Sequence, residues 1–116
     1  MKRDLKLIKE ILIKIESKET LNAENIVEFN GYTESQITYH IMLLDQVGFI
    51  ETLNASDNDG FEFWPKYLTW NGQEFLATIR NDSAWNKFKG KLSGKISNIP
   101  FSALQIILQK LITESY

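Results

Sequence analysis

The apolar residues near the start of the chain recur at the spacing of an amphipathic helix. The residues on this apolar face are Leu5, Ile8, Leu12 and Ile15, with Ile11 beside them. Lysines occupy the opposite side of the same stretch. The pattern therefore predicts a first helix over residues 4–17.

The next apolar stretch, residues 22–29, does not follow one clear period. Asn22 is a residue type that caps helices, and Leu21 and Ile26 stand where a hydrophobic staple would place them. The same stretch would also serve as a strand. The capping pattern slightly favours a short helix, and both alternatives stay open.

A stronger helical pattern begins at Thr33. Thr33 and Gln36 match the capping box, in which each side chain satisfies the other residue's backbone N–H. Gly48 follows at a position where a residue with positive φ commonly ends a helix. The side chains expected to face inward are Ile37, Ile41 and Leu44. We therefore predict a helix over residues 33–47.

A hairpin is predicted after that helix. The apolar segments FIETL, residues 49–53, and FEFWPKYL, residues 61–68, flank the turn-rich sequence NASDNDG. Pro65 cannot donate a hydrogen bond to a sheet, which limits the returning strand to an edge.

Three more helices are predicted in the rest of the chain. Thr69 caps the first of them, Asp82 caps the second, and the third covers residues 102–114. The expected buried faces consist of Phe75, Leu76 and Ile79 in the first, and of Trp85, Phe88 and Leu92 in the second.

The element order predicts a mostly helical α+β fold: a winged helix-turn-helix with a small β-hairpin wing and a C-terminal helical extension. We assign residues 1–80 to the winged-helix domain and residues 81–116 to the extension. The extension is expected either to pack on the domain or to mediate dimerisation.

Several stretches resemble known proteins. GYTESQITYHIMLLDQVGFIE, residues 31–51, resembles the winged-helix pattern, and LTWNGQEFL, residues 68–76, resembles the segment that follows the wing. Together with MKRDLKLIKEIL, NDSAWNK and the apolar C-terminal helix, they resemble a family of small uncharacterised phage and prophage proteins akin to the YjcQ-like winged-helix proteins. The resemblance implies the winged-helix fold and a mobile-element context, and it implies no chemistry.

Charge divides the chain into three blocks. Residues 1–18 carry six cations and three acids, residues 19–65 carry nine acids and no Lys or Arg, and residues 66–116 carry seven cations and three acids. The predicted recognition helix therefore lacks cations, although neutralising phosphates supplies much of the affinity for DNA. Winged-helix regulators often place Arg or Lys where this chain has Tyr39, Met42, Leu43 and Val47.

Residue types for catalysis or ligand binding do not form a recognisable pattern. We expect His40, the only histidine, to be a half-buried structural residue bonded to a backbone carbonyl. The sequence DNDG would need ligands where Ala55 and Lys66 stand, so it does not fit a calcium loop. We expect no catalytic, cofactor or metal site, and we predict that the protein is not an enzyme.

The sequence also bears on the compartment. It has no cysteine, no signal-peptide pattern and no apolar run long enough to cross a bilayer. A cytoplasmic protein without a membrane partner is expected.

The most favoured function is a non-enzymatic interaction or regulatory module that acts mainly through protein contacts. A protein partner or self-association is expected. Candidate partner-binding residues on the 33–47 helix are Ser35, Thr38, Tyr39, Met42 and Leu43. Candidate dimer contacts on the last helix are Leu104, Ile107, Leu108 and Leu111.

The alternative function is a DNA-binding transcriptional regulator that uses helix 33–47 and the wing, residues 54–65. Its candidate contacts are Arg3, Lys6, Lys9, Ser35 and Gln36. The acidic segment 19–65 disfavours a nucleic-acid partner, because phosphate would be repelled there.

Overall fold

The structure is a computed structural model of the 116-residue chain, and it describes residues 1–81, 83, 85, 86, 100, 103 and 106. Within residues 1–81 it has three helices and one two-stranded antiparallel sheet. In chain order these are α1 (Leu5–Glu16), α2 (Glu34–Gln46), β1 (Ile50–Asn54), β2 (Phe63–Leu68) and α3 (Trp70–Ile79). This small α+β arrangement is compatible with a winged-helix-like fold.

Little of the predicted extension belongs to the described residues. Ser83, Trp85 and Asn86 are helical, as are Ala103 and Ile106. The predicted cap Asp82, the expected core residues Phe88 and Leu92, and most of helix 102–114 lie outside them. The candidate dimer contacts Leu104, Ile107, Leu108 and Leu111 also lie outside them.

The apolar stripes predicted for the helices meet in one core. The predicted faces are all buried: Leu5, Ile8, Ile11, Leu12 and Ile15 of α1, Ile37, Ile41 and Leu44 of α2, and Phe75, Leu76 and Ile79 of α3. Phe49 stacks on Phe75 with ring centroids 4.8 Å apart, which joins the start of the hairpin to α3. Trp85 is buried in the same core, as its helical spacing predicts.

The predicted start of α2 is confirmed in detail. The Thr33 hydroxyl accepts a hydrogen bond from the Gln36 N–H at 3.2 Å, and the Gln36 side chain accepts one from the Thr33 N–H at 2.9 Å. Both halves of the capping box are therefore present. Gly48 has φ of 83° directly after the helix, which is a conformation that favours glycine.

The expectation of a short helix at residues 22–29 is wrong. The segment forms neither a helix nor a regular strand, and the Glu24 N–H donates to the Pro65 carbonyl at 3.0 Å. Leu21 is 72% exposed, so the proposed staple with the buried Ile26 does not form. The predicted helix-turn-helix pair is therefore not complete in the described residues, because no helix lies between α1 and α2.

Lys18 holds the same region together from the end of α1. Its ammonium group donates to the carbonyls of Asn22 at 2.5 Å and Pro65 at 3.2 Å, and also to that of Lys66. Charge-assisted bonds of this kind are stronger than neutral ones. They tie the end of α1, Asn22 and β2 to one point.

The two strands pair with one irregularity. Glu51 lies opposite Tyr67 and Thr52 lies opposite Pro65, so that Lys66 has no residue opposite it. This bulge bends β2 where proline interrupts the donors of the ladder. Beyond the paired strands, the wing closes through a bridge between Asp57 and Gly60.

Candidate interaction surface

A groove of about 540 Å³ lies between α2 and the tip of the wing. The helix contributes Glu34, Ser35, Thr38, Tyr39 and Met42, and the wing contributes Asp59, Gly60 and Phe61. Met1 lines it as well. The groove therefore joins the outward side of the helix to the turn of the hairpin, two elements that are far apart in the sequence.

Four of the five residues predicted to bind a partner line this groove. Ser35, Thr38, Tyr39 and Met42 recur at the three- and four-residue spacing that places side chains on one helical face. Their face is separate from the buried one because the core positions of α2 are occupied by Ile37, Ile41 and Leu44. Leu43 is half-buried and is not among the described residues that line the groove.

Hydrogen bonds from side chains and backbone shape the wing side of the groove. The carboxylate of Asp57 accepts from the Asp59 N–H at 2.8 Å, and the backbones of Asp57 and Gly60 bond to each other. Ser56 extends this closure because its hydroxyl accepts from the Glu62 N–H at 3.0 Å. The tight tip presents Phe61, which is 75% exposed, beside α2.

The rim of the groove is acidic. Glu34 and Asp59 are both exposed, and neither has an ion-pair partner among the described residues. No Lys or Arg side chain of the described part lines the groove. The arrangement combines an aromatic and methionine floor with negative charge at its edge, which suits an apolar group flanked by positive charge.

A hydrogen-bond network holds the first residues of the chain against α2. The Asp4 N–H donates to His40 Nε2 at 2.8 Å, while His40 Nδ1 donates to the Gln36 carbonyl at 2.7 Å. The Asp4 carboxylate caps α1 by accepting from the Leu7 N–H at 3.1 Å. It also accepts from the Tyr32 hydroxyl at 2.9 Å. One aspartate therefore joins the first helix, the turn before α2 and α2 itself.

The same contacts change the titration of Tyr32. Burial of the ring, the hydrogen bond to Asp4 and the nearby charges of Asp4 and Glu10 all disfavour the phenolate. Together they raise the pKa of Tyr32 to about 12.

His40 fits a structural role. The expected bond to a backbone carbonyl is confirmed, but the side chain is only 2% exposed and so lies deeper than the half-buried position predicted for it. Both ring nitrogens are already engaged by backbone groups. The only described aromatic contact of its ring is an edge-on one to Tyr39, with centroids 5.6 Å apart.

The candidate nucleic-acid contacts do not come together. Lys9 lies over the Trp85 ring, 4.8 Å from its centroid. Lys6 lines a separate depression between α1 and residues 28–30, together with the acids Glu10 and Glu28. The Gln36 side chain is engaged in the capping box.

Arg3 is half-buried and, like Lys6 and Lys9, is not among the described residues that line the groove. Of the candidate nucleic-acid contacts, the groove therefore contains Ser35 alone among its described residues.

Within the described part of the chain, no three His, Cys, Asp or Glu side chains approach closely enough to hold a metal ion. In the same residues, no helix has both the length and the apolar character needed to cross a membrane.

Similarity to known sequences places the chain in a family. The family model described as "Hypothetical protein (DUF2513)" matches residues 2–97. The chain belongs to the DUF2513 family. It is also 32% identical over 115 residues to an uncharacterized protein of Haemophilus influenzae (strain ATCC 51907 / DSM 11121 / KW20 / Rd), with 98% of each chain covered. No solved structure matches this DUF2513 chain.

Sequence reasoning missed the wing side of the groove. The sequence pattern places Phe61 on a strand and Asp59 and Gly60 in a turn, so none of them is a predicted contact for a protein partner. An available signal was an aromatic residue placed directly after a turn glycine, where no strand partner buries it.

Proposed function

We propose that this protein is a non-enzymatic interaction module with a regulatory role, and that the groove between α2 and the wing binds a protein partner. The observation that supports it is the groove itself: Tyr39, Met42 and Phe61 offer apolar surface beside exposed acids. Aromatic residues and methionine are enriched in the cores of protein interfaces. The described residues offer no comparable convergence of catalytic groups.

We also propose that the fold is a winged-helix variant and that the protein serves a phage or another mobile element in the cytoplasm. The helix, hairpin and following helix occur in the order of the winged-helix pattern. The mobile-element context rests on the sequence resemblance alone.

DNA binding is the second candidate function, and only the order of the elements favours it. A recognition helix presents its outward N-terminal residues to base edges. Here those positions include Glu34 and the engaged Gln36, and the wing adds Asp57 and Asp59. Fold analogy without suitable side chains is a weak argument for function.

Two measurements test the proposal. The first is fluorescence anisotropy of mixed-sequence duplex DNA across a salt series, in which we expect no micromolar binding. Steeply salt-dependent micromolar binding would favour the DNA-binding function instead.

The second measurement is quantitative affinity capture from host cells with three forms of the full chain. Phe61→Ala removes a groove residue, and Trp70→Ala is the matched control because Trp70 is a 79% exposed aromatic that does not line the groove. We expect proteins that the unaltered chain and the control recover and Phe61→Ala loses. Recovery of the same proteins with all three forms would contradict binding at the groove.

A further inference from the structure

We infer that the groove binds a cationic segment of a protein partner, in which Lys or Arg residues flank one bulky apolar anchor. The inference rests on the proposed function, since it specifies the chemistry of the partner at the same groove. It goes further because it fixes the sign of the partner's charge and the kind of side chain that enters.

The first argument is the charge of the surrounding surface. Of the nine acids in residues 19–65, eight are exposed, and this segment includes every described lining residue of the groove except Met1. The segment contains no Lys or Arg that would neutralise them internally. At physiological ionic strength such charges act over about 8 Å, which is enough to select the charge of a partner that enters the groove.

Three cations of the described chain contact other groups. Lys18 donates to three backbone carbonyls, and Arg80 pairs with Glu16. Lys9 lies against Trp85. None of these three side chains lines the groove beside Glu34 and Asp59.

The second argument is the floor of the groove. Methionine adapts its shape to different partners, and an aromatic residue offers a large contact area with little loss of rotamer freedom. Met42 and Tyr39 are half-buried and Phe61 is exposed, so the floor has apolar surface left to cover. A volume of about 540 Å³ lies within the range of specific binding clefts, so it suits a large aliphatic or aromatic anchor.

The two features together exclude other occupants on physical grounds. Nucleic acid and phosphorylated peptides would bring negative charge to an acidic rim. A neutral apolar peptide would leave the rim charges partly desolvated without a partner. A segment with an apolar anchor and flanking cations matches the apolar lining of the groove and also pairs with its acidic rim.

The test starts from a display library of random short peptides, selected on the full chain and counter-selected on Phe61→Ala. We expect enriched sequences in which Lys or Arg flank Leu, Met, Phe or Trp. Enrichment of acidic or uncharged peptides would overturn the inference while leaving the groove as an interaction surface. Absence of any Phe61-dependent peptide would overturn it too, and the DNA titration and the capture experiment judge the proposed function separately.

The second step measures the affinity of an enriched peptide by fluorescence anisotropy. Reversing both rim charges with Glu34→Lys and Asp59→Lys should weaken binding about tenfold at low salt, since each change replaces an attraction for the peptide's cations with a repulsion. The control Glu19→Lys with Glu24→Lys makes the same change in net charge outside the groove, and it should weaken binding less than about threefold. Equal effects of the two double variants would show bulk attraction and overturn the inference.

Two further outcomes are informative. The neutral pair Glu34→Gln and Asp59→Asn keeps the shape of the rim, so it should weaken binding by an intermediate amount even where the reversed pair disturbs folding.

Sedimentation of the unaltered chain tests whether a second copy is the occupant. Self-association that Phe61→Ala abolishes would overturn the inference in favour of a second copy.

Discussion

The close approach of two backbone segments at Gly72 makes Gly72→Ala a sharp test of how α3 packs on the hairpin. Gly72 lies in the first turn of α3, where its N–H donates to the Thr69 hydroxyl at 3.1 Å. A Cβ atom added there would lie 1.9 Å from the carbonyl oxygen of Phe49 and 2.9 Å from its carbonyl carbon. Ordinary carbon–oxygen contacts are about 3.3 Å or longer, so the two backbones would have to separate by more than about 1 Å.

That carbonyl has little freedom to move. It already accepts a hydrogen bond from the Thr69 N–H at 3.0 Å, and the Thr69 hydroxyl donates to the Gly48 carbonyl at 2.5 Å. Overpacking a fixed site costs about 1–3 kcal/mol, and one weakened hydrogen bond adds about 1 kcal/mol. Alanine recovers about 1 kcal/mol of helix propensity. The free energy of unfolding should therefore fall by about 1–3 kcal/mol.

The measurement is urea denaturation followed by circular dichroism, with the midpoint and slope compared between variants. Asn71→Ala is the control, because Asn71 is the preceding, exposed residue of the same helix and should change stability by less than about 0.5 kcal/mol. A Gly72→Ala protein that is more stable than the parent would refute the close approach. That result would mean that Gly72 behaves as a solvent-facing helix residue, for which only propensity counts.

Two more predictions concern the network around Asp4. The pKa of Tyr32 rises from 10.0 to about 12 on folding. The stability that its neutral hydroxyl contributes is therefore present below about pH 10 and is lost as the pH rises towards 12. Urea denaturation across this interval should show a smaller fall in the free energy of unfolding for Tyr32→Phe than for the parent chain. His40→Phe should lower the free energy of unfolding by about 2 kcal/mol, because it leaves the Asp4 N–H without its acceptor. His40→Gln keeps an acceptor and should lose less, and equal stability of both variants would contradict the assigned bond.

The parts of the fold that were predicted correctly are those where local rules and burial agree. The capping box at Thr33 and the stripe Ile37, Ile41 and Leu44 each specify the same helix. The cap at Thr69 is similar, since its side chain accepts the Gly72 N–H as an N-cap should. In these stretches the sequence within one helix contains the information that determines it.

Residues 22–29 could not be predicted because their partner is distant in the sequence. Local capping rules favoured a helix, but the Glu24 N–H finds its acceptor on Pro65, and Lys18 reaches the same carbonyl. Pro65 cannot continue the sheet through its own nitrogen, yet its carbonyl remains available to a neighbour. Tertiary hydrogen bonds at this position outweigh a weak local preference.

Only the helical side of the candidate groove could be predicted, because the wing side depends on contacts between residues distant in the sequence. The helical face with Ser35, Thr38 and Met42 follows from period alone, whereas its apposition to Phe61 depends on how the wing folds back. Helical periodicity identifies the residues on one side of the groove, because those residues belong to a single helix. The pairing of two walls is a long-range property, and neither the single-sequence pattern nor the charge count contains it.

The structure also separates the shape of α2 from the charge of its exposed face. The helix is determined by a hydroxyl cap, a glutamine and a stripe of buried aliphatic residues, and none of these uses a charge. The outward positions therefore accept acids without loss of fold, and Glu34 even favours the positive end of the helix dipole. The helix thus needs no cation to fold, so the charge of its exposed face is a separate property of the sequence.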